Sequence, residues 1–271
     1  MDAVMNWQEK VALWRRDDPT LRFVTILDRE YPVALRSVFN PPPFLVMRGH
    51  LLEVDAKGVA VIGSRHPSNE GAARAHKLGR DLAEAGVTVY SGLAKGIDTA
   101  AHSGALDAGG RTIAVVGHGL LRPYYPKENR SLAERIVAEG AVVSQFRPDT
   151  PPTPATFPMR NVVMSGLAQG SVVVEATRTS GARMQARIAA EQGRRVWFVR
   201  SLVDKFKWAR EFEAKYQGHV RVIDDASEVI EGLSNPEDAR AAADRGIPPV
   251  SPAEAARRGG RKSDTPLVLF R

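Results

Sequence analysis

The chain has 271 residues, 43% hydrophobic and 25% charged, which supplies enough apolar material for a full globular core and excludes a natively unfolded polyelectrolyte. It has no cysteine, which rules out disulfides, thiolate zinc sites and cysteine nucleophiles together, and its six histidines form no H-E-x-x-H pair. The formal charge of +7 and an isoelectric point near 9.8 favour an anionic partner such as nucleic acid.

Met1–Lys10 breaks any apolar run with Asp2, Asn6, Gln8 and Glu9, so no signal peptide is expected. No segment reaches the ~20 apolar residues of a membrane span, and a cytoplasmic, reducing location follows as the expectation. Residues 1–57 read as an N-terminal extension: a mixed helical pattern around Trp7–Trp14, then Asn40-Pro41-Pro42-Pro43, which cannot be helix interior.

From Val59 onward short β-rich runs alternate with helical patterns, the rhythm of βα units on a parallel sheet. The runs are Val59–Ile62, Val87–Tyr90, Thr112–Val116, Ala141–Ser144, Ser171–Glu175 and Arg195–Val199. After the first, Ala75, Leu78, Leu82 and Ala85 make one apolar stripe that Gly86 ends. A helix near Lys205–Tyr216, a strand at Val220–Ile223 and a short helix at Ala226–Gly232, opened by Asp224-Asp225, complete the unit. Residues 58–233 are therefore expected to form an α/β domain, an extended Rossmann-like parallel sheet with helices on both faces. Residues 234–271, rich in Ala, Pro, Gly, Arg and Asp, are expected to be largely disordered, with only Pro266–Phe270 able to dock.

In such a sheet the loops leaving the strand ends gather on one edge, where ligands bind. Here those loops carry Arg65, Lys95, Arg122, Lys127, Arg147, Arg160 and Arg178, which predicts an anion-attracting cleft. Gly63-Ser64-Arg65 follows the first strand, and Gly92 and Gly96 flank Lys95 after the second. Without a Cβ, such turns let backbone N–H groups approach a phosphate, although any tight βα turn needs glycine too. Asp98 is assigned to capping the next helix in preference to orienting Lys95, and His102 to packing. Tyr124, Tyr125 and Phe157 lie in loops beside Lys127 and Arg160, as base stacking along a charged groove requires, or else they plug loops onto the sheet.

Other uses of the fold are disfavoured. The first turn lacks G-x-G-x-x-G and no acid ends the second strand, which argues against NAD. There is no G-x-x-x-x-G-K-[ST], and no histidine is spaced to activate Ser64, Ser91 or Ser180, so neither a P-loop nor a serine hydrolase is expected. No cofactor, metal or catalysis is predicted.

Taken in order, V-A-V-I-G-S-R at Val59–Arg65, S-G-L-A-K-G-I-D at Ser91–Asp98, Ala101-His102, Y-P-K-E-N at Tyr125–Asn129, F-P-M-R-N at Phe157–Asn161 and V-E-A-T-R-T-S-G at Val174–Gly181 resemble the DNA-processing protein A (DprA/Smf) family. Tyr31-Pro32 and Met47-Arg48-Gly49 resemble its lead-in, so the likeness spans roughly residues 30–200. It implies single-stranded DNA binding, dimerisation and loading of a RecA-type recombinase in transformation or repair. By position Arg65 is similar to the family's phosphate-binding arginine and Arg160 to its second basic contact. Gly63, Ser64, Gly92, Lys95 and Gly96 would line the pocket, Phe157 would stack, and Tyr125, Lys127, Asn129, Asn161, Ser180 and Gly181 complete the candidate set.

The chain departs from the pattern where Val162 follows Arg160-Asn161 in place of a second arginine, and where Arg200-Ser201-Leu202 replaces the usual P-G turn. Residues 234–271 do not read as the winged-helix domain that many family members carry. Two alternatives use the same fold. One is a sensor of a nucleotide-derived signal; the other, a phosphoribohydrolase, is disfavoured because P-G-G-x-G-T-x-x-E is missing.

Overall fold

The computed structural model describes residues 7–233. Its strands are β1 (Arg22–Thr25), β2 (Phe44–Gly49), β3 (Gly58–Ile62), β4 (Thr88–Ser91), β5 (Thr112–Val115), β6 (Ala141–Ser144), β7 (Gly170–Val173), β8 (Arg195–Val199) and β9 (Val220–Ile223). The helices are α1 (Trp7–Asp17), α2 (Val33–Arg36), α3 (Asn69–Glu84), α4 (Ile97–Asp107), α5 (Arg130–Glu139), α6 (Thr156–Leu167), α7 (Gly181–Glu191), α8 (Arg200–Lys205), α9 (Lys207–Lys215) and α10 (Ala226–Glu231).

One nine-stranded sheet runs in the order β1-β2-β6-β5-β4-β3-β7-β8-β9. All pairs from β6 across to β9 are parallel, while β1 and β2 add antiparallel at one edge. The expected parallel α/β architecture is thus present. Strand β3 shows why its sequence is a continuous apolar run: Val59 and Val61 pack with α3, α4 and α10, and Ala60 and Ile62 pack on the opposite face with α6 and α7. Helix α3 starts where Ser68 Oγ accepts from Gly71 N at 3.0 Å, and it buries Ala75, Leu78 and Leu82.

Two sequence expectations need correction, and one element was missed. Residues 22–49, read without strands, supply β1 and β2, because β2 pairs with β6 and buries Leu45 and Met47 on one face and Val46 on the other. The helix expected near Lys205–Tyr216 is present as α9; the short α8 ahead of it was not expected, and Phe206 between the two is extended (φ −122°, ψ 118°) and turns its ring to the core. Helix α9 then seats Trp208 and Phe212 against Phe198, with Trp208 Nε1 donating to the Ala176 carbonyl at 3.1 Å. Phe157–Asn161, expected in a loop, lies in the first two turns of α6, and Pro158 fits there because a first-turn N–H has no intrahelical acceptor. The expectations for residues 234–271, including Pro266–Phe270, lie outside the described residues.

Candidate functional site

The strand order reverses at β3, between β4 and β7, and in open α/β sheets ligands settle in the crevice at such a switch point. A pocket of about 390 Å³ opens there. The β3 loop contributes Gly63, Ser64 and Arg65; α6 contributes Phe157, Arg160 and Asn161; the turn into α7 contributes Thr177, Thr179, Ser180 and Gly181. Glu175 fastens the two switch-point loops: its carbonyl accepts from Ser64 N at 2.6 Å and its carboxylate from Ser68 Oγ at 2.7 Å. Ser180 is the N-cap of α7, accepting from Ala182 N at 3.2 Å, so this helix directs its partial positive end at the pocket.

Arg160 is the unusual residue. Its side chain is buried to 6% exposure, yet among the described residues no carboxylate forms an ion pair with it. Nη1 has Met164 Sδ at 3.6 Å, and Nε is buried with no hydrogen-bond partner. Burial pulls its basicity below that of a free guanidinium, partly offset by Asp98, while the charge of Arg65 adds to the depression. Asp98 offsets only part of the cost of burying this cation, and an anion in the pocket would offset more. The guanidinium lies against Gly92, where a Cβ would collide with Nη1, Nη2 and Cζ. Arg65 stands above, exposed, its Cζ 5.5 Å from the Phe157 ring centroid.

Beneath Arg160, Asp98 Oδ2 accepts from Gly92 N at 3.1 Å and Ala94 N at 3.3 Å. It neither caps the helix that contains it nor orients Lys95; as the second residue of α4 it points back and closes the preceding turn. Burial raises its pKa against the lowering effect of Arg160 and of these donors. His102 is packed as expected, fully buried, with Nδ1 2.6 Å from Thr112 Oγ1. Because that hydroxyl donates to the Val89 carbonyl at 2.6 Å, Nδ1 must carry the proton, and Nε2 is left buried with no partner. Burial first, and Arg160 second, hold its pKa at about 3.

The seven cations do not share one cleft. Arg65 and Arg160 line the pocket, while Lys95 is exposed and paired with Glu128 at 2.8 Å, and Arg147 and Arg178 are exposed outside it. Arg122 and Lys127 line a separate groove. The reason is the long connection after β5, which is tied to the following loop by Gly119 N to Thr150 O at 2.8 Å and Leu121 N to Pro148 O at 2.8 Å, carrying both residues away. Gly96 adopts φ +81° in the turn before α4, and a Cβ there would meet Ser64 O. Asn129 is a buried brace, its Nδ2 donating to Leu93 O at 2.8 Å and Thr99 Oγ1 at 2.9 Å. Tyr125, half exposed, sits with its ring 6.1 Å from that of Phe157.

Sequence reasoning missed Gln185. It lies at 1% exposure in the pocket wall, with both amide atoms unpartnered. Its position one helical turn after Gly181 was the available signal. Among the described residues no group of His, Asp or Glu is arranged to hold a metal ion.

A family model described as DNA recombination-mediator protein A matches residues 22–234. The chain belongs to this family. Within it, the chain is 41% identical over 175 residues to the DNA processing protein DprA of Streptococcus pneumoniae, covering 65% of this chain and 61% of that protein. It is 39% identical over 180 residues to Protein Smf of a Synechocystis strain, covering 65% of this chain and 45% of that one. The chain thus matches about half to three-fifths of the length of these curated relatives. The solved structure of DprA from Streptococcus pneumoniae superposes with a TM-score of 0.72 at 32% identity, covering 83% of this chain and 78% of that one. DNA processing protein A from Helicobacter pylori, described for its unique single-stranded DNA binding mode, gives 0.68 at 25% identity, covering 78% and 95%. Family membership agrees with the matched β1 and β2, which the match includes from residue 22. No helix among the described residues is long and apolar enough to cross a membrane.

Proposed function

We propose that this member of the recombination-mediator family binds single-stranded DNA through the switch-point pocket, acts without turnover, and loads a RecA-type recombinase onto the bound strand. In this reading it works in the cytoplasm, as a homodimer. The observation that carries it is Arg160: a buried, unpaired guanidinium in a pocket whose other contributions are Arg65, the α7 N-terminus and an aromatic face on Phe157. A phosphate with an adjacent base is the ligand that uses all four, since charge neutralisation and stacking are the two components of single-strand binding.

The test is fluorescence anisotropy with labelled oligonucleotides at two salt concentrations, for wild type and Arg65→Glu. Wild type should bind with an affinity that falls steeply with salt, and the substitution should abolish binding. Binding that survives Arg65→Glu removes this pocket from the reading. Recombinase loading is checked separately, by filament assembly on strands coated with a single-strand binding protein.

A second reading, a sensor of a mononucleotide-like signal, is favoured by one observation, the orphaned Gln185 amide in the pocket wall. It predicts saturable nucleotide binding with weak salt dependence, read by competition in the same assay.

A further inference from the structure

A second groove, of about 660 Å³, is lined by β2, α5 and the connection that joins β5 to α5. Its apolar lining includes Leu121, Tyr124 and Val137, and its basic groups are Arg48, Arg122, Lys127 and Arg130. Glu134 is the one acid in the lining, and it pairs with Arg130 at 3.0 Å. Arg48 is already committed: Nε donates to Asp18 at 2.9 Å and Nη1 to the Tyr124 hydroxyl at 3.0 Å. Arg122 spends Nε on the Asp149 carbonyl at 2.7 Å, and among the described residues neither it nor Lys127 forms an ion pair. The groove therefore keeps a positive excess after its internal pairs are formed.

One turn walls the groove and reaches a residue that lines the switch-point pocket. Tyr124 lies in the groove, while Tyr125, the next residue, holds its ring against Phe157 of the switch-point pocket. His118 anchors the turn from below, with Nε2 3.4 Å from Tyr125 N and its ring edge-on to Tyr124.

We propose that this groove is a second segment of the single-strand path, in which DNA leaving the pocket passes Tyr125 and lays successive phosphates on Arg122 and Lys127. The proposal rests on the function proposed above and extends the site beyond it. Continuity through the Tyr124–Tyr125 turn and the unpaired cations favour a nucleic-acid strand. An acidic, amphipathic peptide is the competing occupant of an apolar groove with a basic rim.

The test uses the full chain carrying Arg122→Glu and Lys127→Glu, with a fluorescein-labelled thymidylate of about 20 nucleotides and one of about three as probes. The double variant should bind the long probe about tenfold more weakly, with a salt slope shallower by about 1.4, as expected for two lost phosphate contacts. Its affinity for the short probe and its thermal midpoint should match wild type. Unchanged affinity and salt slope for the long probe would overturn the proposal, even with Arg65→Glu abolishing binding of both probes. If Arg65→Glu leaves both probes bound, the failure belongs to the switch-point pocket instead. A labelled Asp/Leu-rich peptide that binds wild type, is lost in the double variant and is not displaced by the long oligonucleotide would also overturn it, assigning the groove to a protein partner.

Discussion

Arg160 and Gly92 form a pair in which each residue explains the other. The guanidinium can lie flat against the second strand-end turn only because residue 92 has no Cβ, and that position puts the charge in the pocket without an internal partner. Gly92→Ala should push the guanidinium out of place. We expect a loss of single-strand affinity of about tenfold, larger than the loss of stability, measured by anisotropy alongside a urea melt. A substitution that destabilises the fold but leaves affinity unchanged would show that Arg160 does not contact the ligand. Both residues were legible in the sequence, but Gly92 only as a phosphate nest; that it makes room for an arginine depends on a helix 68 positions further on. Gln185 had only its place one helical turn after Gly181 to mark it, since a polar residue in an amphipathic helix otherwise reads as solvent-facing until its neighbours bury it.

At the scale of elements, α4 is held to the sheet by polar contacts that are unusual for a buried helix. Asp98 closes the turn in front of it, and His102 bonds to Thr112 on β5. Removing the acceptor by Asp98→Ala leaves the Gly92 and Ala94 N–H groups without it, and should cost about 1–3 kcal/mol in urea unfolding. His102 adds a pH dependence whose sign follows from its depressed pKa of about 3 against 6.5 when unfolded. The neutral ring is the folded form, so stability is complete above pH 6.5 and is lost as pH falls from there toward 3. By pH 5 this one residue should remove about 2 kcal/mol. His102→Leu, which leaves the Thr112 hydroxyl its bond to Val89, should flatten that decline between pH 6.5 and 5 in paired urea melts. The run of βα units was readable because buried parallel strands are apolar throughout; the short α8 was not, because six residues are too few to display a helical period.

For the whole molecule, the N-terminal segment is where sequence and structure part most. Polar positions, short strands and a proline run hide β1 and β2, yet together with the segment joining them they seal one end of the sheet. Leu35, Leu45, Met47 and Tyr31 enter the core on one face, and Leu21 and Val46 on the other. Arg194, beyond α7, donates to the carbonyls of Ala34 at 2.9 Å and Gly166 at 3.1 Å, tying the segment to the opposite half of the chain. A chain lacking residues 1–49 would expose the β6 edge, whose Ala141, Val142 and Val143 are fully buried, along with the faces that these side chains cover. An uncovered apolar edge strand recruits other copies, and each large buried side chain removed costs about 2–5 kcal/mol, so the loss exceeds the stability of an ordinary domain. The truncated chain should therefore elute as aggregate on size exclusion and lose its cooperative urea transition. A monodisperse, cooperatively unfolding product would instead establish residues 58–233 as a domain that stands alone, with β1 and β2 an added edge that serves binding and not folding.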